Sequence, residues 1–418
     1  MSRVPSSADP VITGLGAITP LALNAPETWQ ALLEGRSGVG PITAFDASDL
    51  PVRIAAEVKG FDGEAVLGTK RVRRSARASQ FAVAAAREAV ADAGLDADAI
   101  AQISGQVGVV INCAVGGVSE SDRAARMLLA DGPRGVSPYY VPSMITNMPA
   151  CEVAIDLGIH GPVIASALAC ASGNAALLEA RRLILSGEAD VVLAGGTDAG
   201  ITELMIAGLI NMGALSQRND DPATASRPFD SGRDGFVFGE GAVVTVIESA
   251  AHAAARGAHV YASVAGGAIT ADAFHISHPQ PSGEHAARAI ALALQRTGTA
   301  PEDVDFIVAH GTSTAINDAV ETRAIRAVLG DAADGVPVSS PKASTGHMIG
   351  AAGALSVIVA VLAMRDGMLA PTINLQNPDP DCDLDYVPLH ARPATVRTAI
   401  VNAFGFGGQN CVLVVRAL

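Results

Sequence analysis

Four short stretches of this 418-residue chain carry side chains suited to chemistry. In Ser166-Ala-Leu-Ala-Cys-Ala-Ser-Gly-Asn174, Cys170 lies between a strand-like run (162–167) and an Ala-rich helical stretch (171–186). A cysteine at a helix N-terminus meets free amides and the positive end of the helix dipole, which favour its thiolate. Its small neighbours leave room for a substrate; a buried, inert thiol is the plain alternative. In Asp305-Phe-Ile-Val-Ala-His-Gly-Thr-Ser-Thr314, an apolar run ends at His310 and three hydroxyl residues follow. A histidine at such a strand end can act as acid, base or hydrogen-bond donor, or simply be satisfied by backbone. Ser339-Ser-Pro-Lys-Ala-Ser-Thr-Gly-His347 places Lys342 and His347 five residues apart. That lysine is either a solvated cap or a charge held near a reaction centre. Asn402-Ala-Phe-Gly-Phe-Gly-Gly-Gln-Asn410 offers three glycines able to take positive φ and aim amides at a developing oxyanion. A plain hairpin turn explains those glycines but not the two phenylalanines.

Other chemistries find less support. Gly14-Leu-Gly16 stands without the rest of a dinucleotide fingerprint, and no Walker A motif occurs. His275 and His278 form an HxxH without further ligands, a weak metal signal. Residues 225–241 read as a polar, Gly-rich connection. Cys113, Cys151, Cys170, Cys382 and Cys411 are odd in number and contain no CxxC, so neither a disulfide framework nor a structural zinc site is expected. They suit a reducing cytoplasm. The first ten residues lack an apolar leader core, so no signal peptide is expected.

The elements that must carry these residues alternate. Strands are expected at 11–13, 107–111, 191–194, 242–248, 306–309, 399–403 and 411–415, and helices at 79–93, 171–186, 284–297, 318–329 and 350–365. Apolar strands between helices read as α/β layers with buried sheets. Composition agrees: 49% hydrophobic and 17% charged residues rule out global disorder. Glycine at 43 of 418, above the usual ~7%, suggests close-packed backbones. A net charge of −14 argues against general nucleic-acid binding. The charge-free stretch between Lys342 and Arg365 is broken by Gly350, Gly353 and Ser356, and reads as a buried core helix rather than a membrane span. A boundary between two similar halves is expected near 250–261, giving units 1–255 and 256–418.

Together these segments resemble the condensing enzymes of fatty-acid and polyketide synthesis, in particular elongating β-ketoacyl-acyl-carrier-protein synthases. The resemblance runs nearly end to end, from Val11-Ile-Thr-Gly-Leu-Gly-Ala-Ile-Thr-Pro20 to Asn402–Asn410. It implies a thiolase-like fold of two related α/β halves in five αβαβα layers, and a dimer. It implies that Cys170 takes the acyl chain, with the amides of Cys170 and Phe404 as oxyanion hole. His310 and His347 would bind the malonyl thioester, and Lys342 with Glu321 would organise the local charge. Thr312 and Thr314 would contact the phosphopantetheine arm. Phe404 would be the gating aromatic, with Phe406 also against substrate. Val115 would limit acyl-pocket depth, and Tyr140 would reach the partner subunit's pocket. No cofactor of the enzyme's own and no metal are implied. The chain departs from the family at Ser356, where many members have Glu, and at Ala315, where Pro is usual. A type III synthase would show Cys-His-Asn, and a thiolase a second cysteine in the C-terminal glycine loop.

Lys70-Arg-Val-Arg-Arg-Ser-Ala-Arg77 holds five basic residues in eight, with no acid between Ala65 and Arg87. Lys70, Arg71, Arg73 and Arg74 are therefore expected to dock an acidic carrier protein, and the resemblance implies Arg134 as a further docking position. Two settings remain open: a homodimeric fatty-acid enzyme, or the catalytic subunit of a type II polyketide pair with a chain-length factor. A non-catalytic scaffold is the remote alternative; it would have no need of all four of Cys170, His310, Lys342 and His347.

Overall fold

The computed structural model describes residues 9–418; residues 1–8, most of the segment read above for a leader, lie outside the described residues. In the N-terminal half, β1 (Val11–Ile18), β2 (Val107–Asn112), β3 (Val163–Ile164), β4 (Val191–Asp198) and β5 (Gly241–Glu248) lie in the order β3-β2-β4-β5-β1. In the C-terminal half, β6 (Ala262–Ala271), β7 (Phe306–Val308), β8 (Val338–Ser339), β9 (Thr398–Gly405) and β10 (Gln409–Arg416) lie in the order β8-β7-β9-β10-β6. Counted within each half, both orders read third, second, fourth, fifth, first. The directions repeat too: two antiparallel pairings from the first strand, then two parallel ones. The leaves join through Val11 opposite Ser263 and Ile12 opposite Ala262.

The helices used below are α1 (Arg77–Asp92), α2 (Val118–Asp131), α3 (Tyr140–Met144), α4 (Met148–Leu157), α5 (Ser172–Leu185), α6 (Glu203–Asn211), α7 (Glu284–Thr297), α8 (Asn317–Leu329) and α9 (Ala352–Asp366). α1 and α4 cover the outer face of the first leaf, and α7 and α8 that of the second. α5 and α9 fill the space between the leaves, completing the five layers. A helix enclosed on all sides must be apolar all round. Accordingly, every residue from Ala352 to Ala363 is buried. The stretch Ile349–Asp366 is long and apolar enough to cross a membrane, yet 83% of it is buried inside the protein.

β6 was not expected from sequence. Its Ala262-Ser-Val-Ala-Gly-Gly-Ala-Ile-Thr-Ala271 has little intrinsic strand preference. Pairing to β10 along its length and to β1 at one end supplies what propensity lacks.

The middle layer sets the site. A side chain at Gly353 would stand 2.6 Å from Asn174 Oδ1, and one at Gly173 would overlap the Ala354 amide nitrogen. The first turns of α5 and α9 therefore touch backbone to backbone. Gly173→Val should cost about 1–3 kcal/mol through overpacking, read as a lower urea midpoint with unchanged slope. An unchanged midpoint would contradict this contact.

Candidate active site

Cys170 sits in a tight turn (Ala169–Ala171) that runs straight into α5. Ser172 Oγ caps the turn by accepting from the Leu168 amide at 2.9 Å. Ala169, at φ +45°, makes the sharp corner before the cysteine. The thiol is 7% exposed. Burial pushes it up to about 11; the Lys342 charge and the amides of Phe406 and Cys170 pull the other way. Those two amides converge on the sulfur, where an oxyanion would form on a carbonyl bonded to it.

His310 follows β7 by two residues and is clamped through its own peptide. Glu321 Oε1 accepts from the His310 amide and Oε2 from the Gly311 amide, both at 2.8 Å, while Lys342 Nζ donates to the His310 carbonyl at 2.6 Å. Asn402 Nδ2 adds a 3.0 Å bond to Glu321. His347 is fixed by its amide to Val237 O at 2.7 Å, and its Nδ1 accepts from the Ile349 amide at 3.2 Å. That bond puts the ring proton on Nε2. Nε2 of His347 and Nδ1 of His310 have no hydrogen-bond partner among the described residues. The imidazoles lie edge to face, 5.5 Å between centroids. Cys170 Sγ and one nitrogen of each ring fall within 4.8 Å of one another. A soft divalent cation could use these three donors.

Burial holds both imidazoles well below the usual histidine range, and Lys342 adds to this. Burial also lowers Lys342 to about 8, against the opposing charge of Glu321. At neutral pH the site thus holds neutral donors beside one cation. A cavity of about 560 Å³ opens onto them, lined by Cys170, His310, His347, Val115, Thr312, Thr314, Phe404 and Phe406, with an apolar wall of Met205, Leu209 and Phe238. Thr312 Oγ1 and Thr314 Oγ1 are 3.0 Å apart.

The family model described as beta-ketoacyl synthase, N-terminal domain, matches residues 8–253, and its C-terminal counterpart matches residues 261–376. This chain belongs to the beta-ketoacyl synthase family. It is 47% identical over 403 residues to a 3-oxoacyl-[acyl-carrier-protein] synthase 2 of Synechocystis sp., covering 96% of both chains. The corresponding protein of Coxiella burnetii is 46% identical over 404 residues, 97% of both. Among solved structures, a beta-ketoacyl synthase from Burkholderia phymatum superposes with a TM-score of 0.91 at 35% identity, covering 98% of this chain and all of that one. The ishigamide ketosynthase/chain length factor gives 0.92 at 35%, covering 99% and 100%.

Within this synthase fold, three expectations need correction. The second amide facing Cys170 belongs to Phe406. Phe404 lies inside β9, paired opposite Asn410, so it is part of the ladder. Phe404 is also no gate: it is buried, its ring centroid 5.8 Å from that of His310, whereas Phe406 stands on the turn and is 38% exposed. The basic run is also less free than its sequence suggests. Arg71 is paired to Asp156 and Glu152 of α4, and Arg77 to Glu240. Lys70, Arg73, Arg74 and Arg134 stay exposed, Arg74 stacked over Tyr139 at 5.1 Å. Tyr140 lies on α3 beside Ser121, outside this chain's own cavity. Ser356 bonds back to Ala352 O within α9.

Sequence reading also missed Asp318. It is fully buried and accepts from the amides of Thr312, Ser313 and Phe229, shaping the loop after His310. Its place one turn before Glu321, at the start of an amphipathic helix, was the available signal.

Lys342→Ala should slow iodoacetamide alkylation of Cys170 at pH 7, because the cation that favours the thiolate is gone. The wild-type advantage should shrink as pH rises through about 8, where Lys342 itself deprotonates. An identical pH profile in both proteins would contradict this coupling.

Proposed function

We propose that this synthase elongates acyl chains by decarboxylative condensation of acyl-Cys170 with a malonyl thioester on acyl carrier protein. The observation that carries this is the meeting of one thiol with two neutral imidazoles, each with one nitrogen unpartnered among the described residues, at one buried point. Cys170 Sγ attacks the acyl thioester carbonyl, and the carrier thiol leaves with the cysteine's proton. The amides of Cys170 and Phe406 take the oxyanion. The malonyl thioester oxygen then accepts from His347 Nε2–H and from His310. The bond to the carboxylate breaks, CO2 leaves, and its electron pair forms the enolate. The enolate carbon attacks acyl-Cys170, the thiolate leaves, and the product is a β-ketoacyl thioester longer by two carbons. Thiolate serves as both nucleophile and leaving group. No cofactor of the enzyme's own enters; the phosphopantetheine arm arrives on the substrate, against Thr312 and Thr314.

Carrier protein docks on Lys70, Arg73, Arg74 and Arg134, and the reaction takes place in the cytoplasm. Two copies of the chain pair along β3, whose outer edge has no neighbour in the sheet among the described residues. Exposed Val163 lies on β3 itself, and exposed Leu129, Val141 and Ile155 lie on α2, α3 and α4. Identity of 46–47% to 3-oxoacyl-[acyl-carrier-protein] synthases, against 35% to the ishigamide ketosynthase/chain length factor, favours this self-paired enzyme over a pair with a chain-length factor.

Cys170→Ala should keep its fold and lose the acyl adduct by intact mass; unchanged acyl transfer would sink the mechanism. His310→Ala and His347→Ala should each lower CO2 release from malonyl carrier protein by ~100-fold, with Cys170 acylation much less affected. Equal loss of both half-reactions would count against the assignment. For docking, Arg73→Glu should raise KM for carrier-bound substrates severalfold at low salt and little at high salt, with kcat unchanged. No salt dependence would remove the patch from the interface.

A further inference from the structure

Asp198, the last residue of β4, is fully buried yet meets no cation among the described residues. Its two oxygens instead accept four bonds. Oδ1 takes the Cys113 thiol at 2.9 Å and the Val115 amide at 3.0 Å. Oδ2 takes the Ala114 amide at 3.1 Å and the Gly350 amide at 2.7 Å. Three of these donors follow β2 in the N-terminal half, and the fourth opens the central helix of the C-terminal half. Nothing wider than glycine fits there: a side chain at Gly350 would stand 2.5 Å from Asp198 Oδ2.

Immediately before Gly350 comes Ile349, a β-branched residue at φ +48°. Such a residue in the left-handed region is strained and persists only where its surroundings over-determine it. The strain has a use. It points the Ile349 amide at His347 Nδ1, and that bond leaves the proton on Nε2, the nitrogen with no partner among the described residues. We infer that Asp198 is a positioning residue for His347: by pinning Gly350 it holds Ile349 in the strained conformation that selects the donor tautomer. The same carboxylate fixes Val115 in the cavity wall, so one buried group ties the acyl side of the site to the malonyl side. The kinetic consequence rests on the donor role proposed for His347; the tautomer consequence does not.

Asp198→Asn keeps the size and removes at least one acceptor. Histidine ¹⁵N NMR on the full chain should show His347 as the Nε2–H tautomer in the wild type and as a mixture in the variant. Release of CO2 from malonyl carrier protein should fall at least 10-fold, while acylation of Cys170 by a short butyryl thioester, which does not probe cavity depth, changes less than 3-fold. Adding Ile349→Gly, which occupies φ +48° without strain, should restore the tautomer and much of the decarboxylation. Should Asp198→Asn alone fail to fold, the double variant should recover soluble, folded protein. An unaltered His347 tautomer, an equal fall in both half-reactions, or no rescue by Ile349→Gly would overturn the inference. If the tautomer responds but His347→Ala leaves decarboxylation intact, the positioning stands and the donor role proposed for His347 fails.

Discussion

Gly173 and Gly353 allow α5 and α9 to begin against each other with no side chain between them. Cys170 lies just ahead of one helix and His347 just ahead of the other. Their separation in space is therefore set by a backbone contact in the most enclosed layer of the protein. A similar strand order in each half supplies two equivalent helix starts, and the close crossing turns them into one site. Packing at this density leaves little freedom for the reacting groups to drift. That suits chemistry in which a misplaced donor is costly.

The electrostatics follow from the same enclosure. Burial keeps both imidazoles neutral, raises the thiol to about 11 and lowers Lys342 to about 8. The resting site is thus poor in mobile charge. Negative charge on the thioester oxygen develops only during reaction, and it develops among amides and imidazoles already in place. Preorganised donors of this kind need not reorient when the charge develops. Glu321 and Asp318 contribute at one remove, by accepting the backbone amides that shape the turn after His310. Lys342 holds the carbonyl of the same histidine.

Much of this was legible in the chain. Cys170 before an Ala-rich helix, His310 at the end of an apolar strand and the glycine-rich loop after β9 all declared themselves by local pattern. Apolar runs also located seven strands but not β6, whose alanines and glycines earn their strand from neighbours on both sides. What stayed hidden depends on contacts distant in sequence. The choice between the amides of Phe404 and Phe406 turns on where the β9–β10 ladder ends, and the pattern of two phenylalanines among glycines does not say. The basic run from Lys70 looked free of acids because Asp156, Glu152 and Glu240 reach it from other elements. Asp198 gave no signal at all, since its donors come from residues some 80 and 150 positions away.

The most direct test of the account is product and intact-mass analysis of the purified chain alone, given acyl carrier protein bearing an acyl group and carrier protein bearing malonate. The account predicts an acyl adduct on Cys170, release of CO2, and a product two carbons longer without any second protein. An adduct on Cys170 with no extension would contradict the claim that this chain's own His310 and His347 complete the condensation.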